Sequence, residues 1–552
     1  MSNAMPVPAG RPTRRQWLTL LVLSLGLAIV IIDSTIVNVA IPSIRAEFNA
    51  TLQQLEWVNS IYALIYAALI VTWGRIGDQI GRKRIFIAGV VMFVAGSLLA
   101  GAAGSINMLI FARVIQGLGA AMTSPSTLSI VSATFTGRAR GIAFGVWGAV
   151  AGASAALGPL LGGWLTTNAS WRWGFYVNLP IGLIAIIGSI LLIQESRERG
   201  RKLTFDIPGI LLTGFGIGAM VFGLIEGQTY GWLQPKRAFS IGTWTWPYEN
   251  VSITFVSMIA SVVLLALFVW WELRVQRRGG EPLFDFTLAR FASFRFGLIT
   301  VAIVALGEFG IIFVLSLYLQ GVLGLSAFQT GLLFLPFALA TLFTAPSAGI
   351  LSSRFGAKWV VTTGMLLEAA AIFLLHLVLR VDTPLGLIIA VLVLYGVGVG
   401  LAIAQLTSVV LSEVPPQRLG AGSGANNTIR QVGAAIGVAI IGAVLTTGIG
   451  NSARTQLDAN QMVPSFVKSA IVQQLEEGAG MSEGGDMTIE GMPAGMENSP
   501  AVQAIGDIIK QSFVDGARNA ALIASIFVLL GALSSLLIPN TKVQMMQEVA
   551  GH

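Results

Sequence analysis

Gly74-Arg-Ile-Gly-Asp78-Gln-Ile-Gly81-Arg82-Lys-Arg84 is a short charged interval, punctuated by glycine, between two apolar runs. It returns in weakened form 275 positions later, where Gly74, Gly81, Lys83 and Gly89 fall on Gly349, Gly356, Lys358 and Gly364. The chain is therefore a tandem duplication, and whatever architecture surrounds the first copy is built twice. At the same offset Asp33 falls on Glu308, so each half carries one carboxylate inside an apolar run at a corresponding place.

What surrounds both copies is apolar sequence. Of the 552 residues, 55% are hydrophobic and 11% charged, with a mean hydropathy of +0.78. Soluble domains carry about 25% charged residues. Apolar runs of about 20 residues, the length that crosses a bilayer, recur from end to end. They predict fourteen spans, the first at 16–43, the seventh and eighth at 206–226 and 250–272, and the last at 517–538. The duplication accounts for twelve of them. The expected fold is therefore an all-α membrane protein, with a six-helix bundle over 1–200, two linker helices over 201–280 and a second six-helix bundle over 281–552. A polar, glycine-rich stretch at 451–516 interrupts the second bundle and reads as a partly mobile extracytoplasmic loop.

The net charge of +7 does not point to nucleic acid, because the basic residues form clusters between apolar runs and not a stripe. With the N-terminus inside, about 22 Lys/Arg fall in inner segments and about 9 in outer ones, the asymmetry of a chain with both termini cytoplasmic. The first residues, Met1 to Ala4 before a second Met, look like an expression scar. The long apolar stretch after Arg14 and Arg15 reads as a first membrane helix and not a cleaved signal. There is no cysteine, and the two histidines, His376 and His552, cannot build a metal centre alone. Met462, Met481, Met487, Met492 and Met496 are of a type that binds soft copper, but their irregular spacing favours a plain loop. No nucleophile–base set or phosphate loop appears, so neither an enzyme nor a cofactor is expected.

A carboxylate in hydrocarbon costs several kcal/mol unless it is paired or neutral. Asp33, in Ala28-Ile-Val-Ile-Ile-Asp33, is therefore a candidate functional group, and Arg113, at similar depth in the fourth span, is its candidate partner. Glu308, flanked by Gly307 and Gly310, is a candidate cation-binding or coupling carboxylate. Glu368 in the eleventh span has Phe93 as its repeat counterpart, so duplication gives it no twin; cavity and packing roles stay open. Glu226 near the outer interface reads as a residue reaching water. Gly74, Asp78, Gly81 and Arg82 have the makings of an ionic latch against a neighbouring helix end. Gly148, Gly152, Gly158, Gly162 and Gly163 permit close helix contact, and Pro159 favours a kink. Trp57, Tyr62, Tyr66, Phe144 and Trp147 are candidate cavity aromatics, set against simple lipid-facing packing.

Together these segments resemble the major facilitator superfamily and, within it, the fourteen-helix drug:proton antiporter-2 family. Asp33 with Ser34, Thr35, Asn38 and Pro42 is similar to the first-helix motif, Gly74–Arg84 to the superfamily loop motif, and Arg113-Val-Ile-Gln116-Gly117-Leu-Gly119 to the fourth-helix motif. Gly148 to Gly163 resembles the antiporter motif. Trp171-Arg-Trp173, Phe175, Asn178, Pro180, Tyr318-Leu-Gln320 and Arg430-Gln431 are also family-like. In the second-half loop Ser353 stands where Asp78 would be, so the latch is expected mainly in the first half. The resemblance implies a proton-coupled exporter of hydrophobic or amphipathic, often cationic, drugs working by alternating access in a bacterial inner membrane. Its implied partners are small-molecule cargo, protons, membrane lipids and an accessory envelope protein. A dedicated exporter of an endogenous lipid, antibiotic or siderophore is the alternative.

Overall fold

The computed structural model describes residues 12–50, 52–135, 137–196, 206–241, 244–280, 282–415, 418–459, 468 and 500–539. The methionines of the external stretch, the basic residues at 197–202, His552 and the side chains of Asn38 and Pro42 lie outside the described residues. Fourteen helices among the described residues are long and apolar enough to cross a membrane. They are α1 Arg14–Phe48, α2 Leu52–Ile80, α3 Arg82–Gly101, α4 Ile106–Thr134, α5 Gly137–Asn168 and α6 Asn178–Leu192, the last preceded by a single turn at Trp173–Tyr176. Then come the linker pair α7 Ile207–Tyr230 and α8 Ile253–Arg277, and a second series. That series is α9 Ala292–Gly321, α10 Ala327–Phe355, α11 Ala357–Val378, α12 Leu385–Val410, α13 Leu419–Ala459 and α14 Pro500–Ser535. Among the described residues the chain is helical apart from two paired two-residue strands, Ser240–Ile241 and Trp244–Thr245, between α7 and α8, and a 3-10 turn at Phe286–Arg290 precedes α9.

Local chemistry sets many of the ends. Thr13 and Ser326 form capping boxes with Gln16 and Gln329, while Ser105, Asp206 and Ser252 accept the first free amides of α4, α7 and α8. The helices also run past their apolar spans. α2 continues through Gly74 and Asp78, so the expected loop shrinks to a turn at Gly81. Its φ of 133° is open to glycine, and the repeat counterpart Gly356 makes the same turn at 90°. Likewise Asn451–Ala459 belongs to α13 and Pro500–Gly516 to α14, which corrects the loop reading at both edges of 451–516. Hydropathy marks where the bilayer is, whereas a polar helix can go on outside it when packed; there Gly448 meets Gly516 and Ser452 donates to Asp515.

The two halves meet along two seams that the repeat relates to each other. α2 packs on α13, and its counterpart α10 packs on α5. Gly74 and Gly349, the paired glycines of the repeat, stand in these seams: a Cβ on Gly74 would press on Gly420 and one on Gly349 on Gly141 and Ile142. The linker helix α7 touches both α2 and α13, and α8 packs on α7. Ile217 and Val221 of α7 join Ala67, Ile70 and Val71 of α2 in a small apolar cluster of their own.

Candidate functional site

Between the halves lies a cavity of about 410 Å³. From the first half it is lined by Ser34 and Thr35 of α1, Tyr62 and Tyr66 of α2, Arg113 of α4, and Trp147, Gly148 and Gly152 of α5. The second half adds Glu308 and Phe309 of α9, Phe337 and Thr341 of α10, Val399 of α12, and Arg430 and Gln431 of α13. Ile225 of the linker helix α7 completes the wall.

Asp33 is 0% exposed and stands behind that wall. Arg113 Nη1 pairs with Asp33 Oδ2, while Gln116 Nε2 (2.7 Å) and Asn178 Nδ2 (2.9 Å) donate to Oδ1. The donors are themselves held, since Arg113 Nε donates to the Val58 carbonyl at 3.0 Å and both amides also reach Ser97 Oγ. The guanidinium lies 4.2 Å above the Tyr62 ring, whose hydroxyl donates to the Val30 carbonyl. Arg113 therefore faces the cavity on one side and Asp33 on the other, so the carboxylate meets the cavity through its partner.

The second carboxylate is placed differently. Glu308 lines the cavity directly, with Arg430 Nη2 3.9 Å from its Oε1. At the basic-loop end, Asp78 is 0% exposed. Its Oδ1 accepts from Arg82 Nε (2.9 Å), Arg82 Nη2 (2.7 Å) and the Gly420 amide (2.9 Å), and its Oδ2 accepts from the Ala421 amide (3.0 Å). A first-half carboxylate thus caps the N-terminus of a second-half helix, whose free amides and dipole favour it. Ser353, its repeat counterpart, is turned to the Ile350 carbonyl of its own helix at 2.7 Å.

Comparison with known proteins bears on this layout. The family model described as Major Facilitator Superfamily matches residues 23–207 and 207–438. The chain belongs to the Major Facilitator Superfamily.

Among curated relatives of this facilitator, the tetracenomycin C resistance and export protein of Streptomyces glaucescens is 29% identical over 97% of this chain and 94% of its own length. The multidrug resistance protein Stp of Mycobacterium tuberculosis (strain CDC 1551 / Oshkosh) is 34% identical over 84% and 81%. Among solved structures, the human organic anion transporter MFSD10 (TETRAN) superposes with a TM-score of 0.57 at 13% identity, covering 94% of this chain and 99% of that one. The chain is a multi-pass membrane transporter that fits the superfamily's drug-efflux branch, and not an enzyme.

In this facilitator the glycines of α5 face two neighbours. Gly152 and Gly163 approach Thr341 and Phe328 of α10, whereas Gly158 and Gly162 approach Thr35 and Ile36 of α1; Gly148 lines the cavity. Pro159 lies inside a helix that runs unbroken from Gly137 to Asn168. Of the five expected cavity aromatics, Tyr62, Tyr66 and Trp147 line it and two do not. Trp57 stacks on Phe222 of the linker helix at 6.0 Å, and Phe144 is fully buried with Arg140 above its ring. Aromatic identity reveals apolarity but not helix face, which is why those two were misplaced. Glu368 is also outside the lining, 0% exposed between α11 and α12, and Glu226 is 2% exposed and does not reach water as expected. Ser97 and Arg430 were missed as partners. A serine in an apolar helix costs too little to draw notice, and Arg430 stands in a polar run, Asn426-Asn-Thr-Ile-Arg430-Gln431, that hides it.

Proposed function

We propose that this facilitator exports hydrophobic or amphipathic, often cationic, drugs in exchange for protons, with Asp33 as the coupling carboxylate. The observation that carries this reading is the Asp33–Arg113 pair, buried in one half directly behind a cavity whose walls come from both halves. A proton arriving at Asp33 removes the charge that holds Arg113, and the freed guanidinium then repels a cation in the cavity it lines. Cargo and proton thereby exclude each other, which is what antiport requires. The names of the two curated relatives, a resistance and export protein and a multidrug resistance protein, support an outward direction. The basic loops agree with an inner bacterial membrane and cytoplasmic termini. The Asp78 cap is the proposed inner latch, broken and remade as the halves rock.

The test is transport of a cationic dye into proteoliposomes under an imposed pH gradient. Wild type is expected to accumulate dye uphill, and Asp33→Asn, whose Arg113 stays free to repel the cation, to bind dye more weakly and to exchange it downhill without accumulating it. Uphill accumulation by Asp33→Asn at the wild-type rate, with Glu308→Gln uncoupled instead, would reverse the assignment of the two carboxylates.

A further inference from the structure

Behind the second half's cavity wall lies a carboxyl group that the exchange at Asp33 does not use. Glu368 sits where α11 and α12 cross closely, at Gly364 and Gly398, and it is fully buried. Neither carboxyl oxygen has a hydrogen-bond partner among the described residues, and the same is true of the buried Tyr395 hydroxyl on α12. Tyr395 stacks at 5.1 Å on Phe337, a residue of the cavity wall. The charges whose fields reach Glu368 are Glu308 of α9 and Arg430 of α13, and those reaching Tyr395 are Glu368 and Glu308. Among the described residues, the main charges acting on Glu368 do not include any from α10 or α14, which also pack on α11.

Two carboxyls and one guanidinium are neutral together only when they hold one proton. A carboxylate without donors is costly in an apolar interior, so the proton belongs on Glu368, while Glu308 stays ionised beside Arg430 and the cavity. We propose that Glu308, Glu368 and Arg430 form a charge-balanced acid pair that stores one exchangeable proton in the C-terminal half, and that a monovalent organic cation bound beside Glu308 displaces it.

The transfer is a relay. Glu368 gives its proton to the Tyr395 oxygen while the Tyr395 hydroxyl proton passes to the Glu308 carboxylate, so the phenol is regenerated and the negative charge moves to Glu368. The side chains must turn toward each other for this, because none of the three is hydrogen-bonded to another here. Glu308, which faces the cavity, then releases the proton there as the cation arrives. This site rests on the reading of the chain as a proton-coupled exporter, and it adds a proton that is separate from the one at Asp33.

The experiment uses the full chain in lipid and tetraphenylphosphonium as the probe cation. Wild type at neutral pH is expected to release one proton into a weakly buffered medium on binding the probe and to lose an infrared band of a protonated carboxyl group. Glu368→Gln should fold, bind the probe and show neither change. Tyr395→Phe should show both to the same extent but about 100-fold more slowly, because the relay group is gone. Asp33→Asn, given enough probe to saturate its weakened binding, should still release this proton, which separates the site from the coupling reading. A failure of pH-driven accumulation in wild type would sink that reading while leaving the equilibrium release legible. Unchanged release from Glu368→Gln, no carboxyl band in wild type, or no binding of the cation would each overturn the proposal.

Discussion

Arg113 is buried with Asp33, and the net worth of such a pair differs from the cost of breaking it. Both charges have lost water, so removing one leaves the other stranded. Arg113→Gln is expected to destabilise the chain by about 3–5 kcal/mol, and the double variant Asp33→Asn/Arg113→Gln to recover most of that, as a thermal melt in detergent would record. Equal, additive losses in the cycle would mean that the two side chains do not act as a pair. The expense of a carboxylate in an apolar run is also why Asp33 could be singled out in the sequence, and its depth why Arg113 could be matched to it. The other donors, Gln116 and Asn178, were legible only as family-like letters, because neutral amides leave no comparable imbalance.

At the scale of elements, apolar length fixed the number and order of the helices, and the glycine repeat fixed which of them correspond. Their ends were harder to read. A helix outside the bilayer is held by packing and capping, so α2, α13 and α14 outrun their hydropathy and the charged interval becomes helix around the turn at Gly81. This changes what Asp78 is: a side chain on a rigid helix reaching across to the start of α13. Asp78→Asn keeps the size but loses the charge that faces two amides and Arg82. Helix content by circular dichroism is expected to stay at the wild-type value while efflux falls several-fold, since a cap of this kind is worth about 1 kcal/mol or somewhat more. Normal efflux from the correctly inserted variant would remove the latch role. A bulkier test is Gly74→Val, which sets a side chain against the Gly420 carbonyl; it should be expressed but hold the basic-loop end of the seam apart, read as faster labelling of a cysteine placed at 424.

For the whole molecule, the proposed alternating access requires that the contacts now closed at the basic-loop end open in every cycle. Two serines give a direct test, because the chain contains no cysteine to interfere. Ser129 of α4 and Ser423 of α13 come from opposite halves, are both fully buried, and have hydroxyl oxygens 3.2 Å apart. Exchanging both for cysteine changes little volume and places two sulfurs where a short side-chain adjustment completes a disulfide. The reduced double variant is expected to transport close to the wild-type rate, and oxidation with a membrane-permeant oxidant to arrest it, with recovery on adding reductant. Arrest should follow the fraction cross-linked on a gel, because one covalent bond at that seam prevents the halves from separating there. Full transport by the fully cross-linked protein would mean that α4 and α13 stay together throughout the cycle, and the inner opening would then have to form at the α5–α10 seam alone.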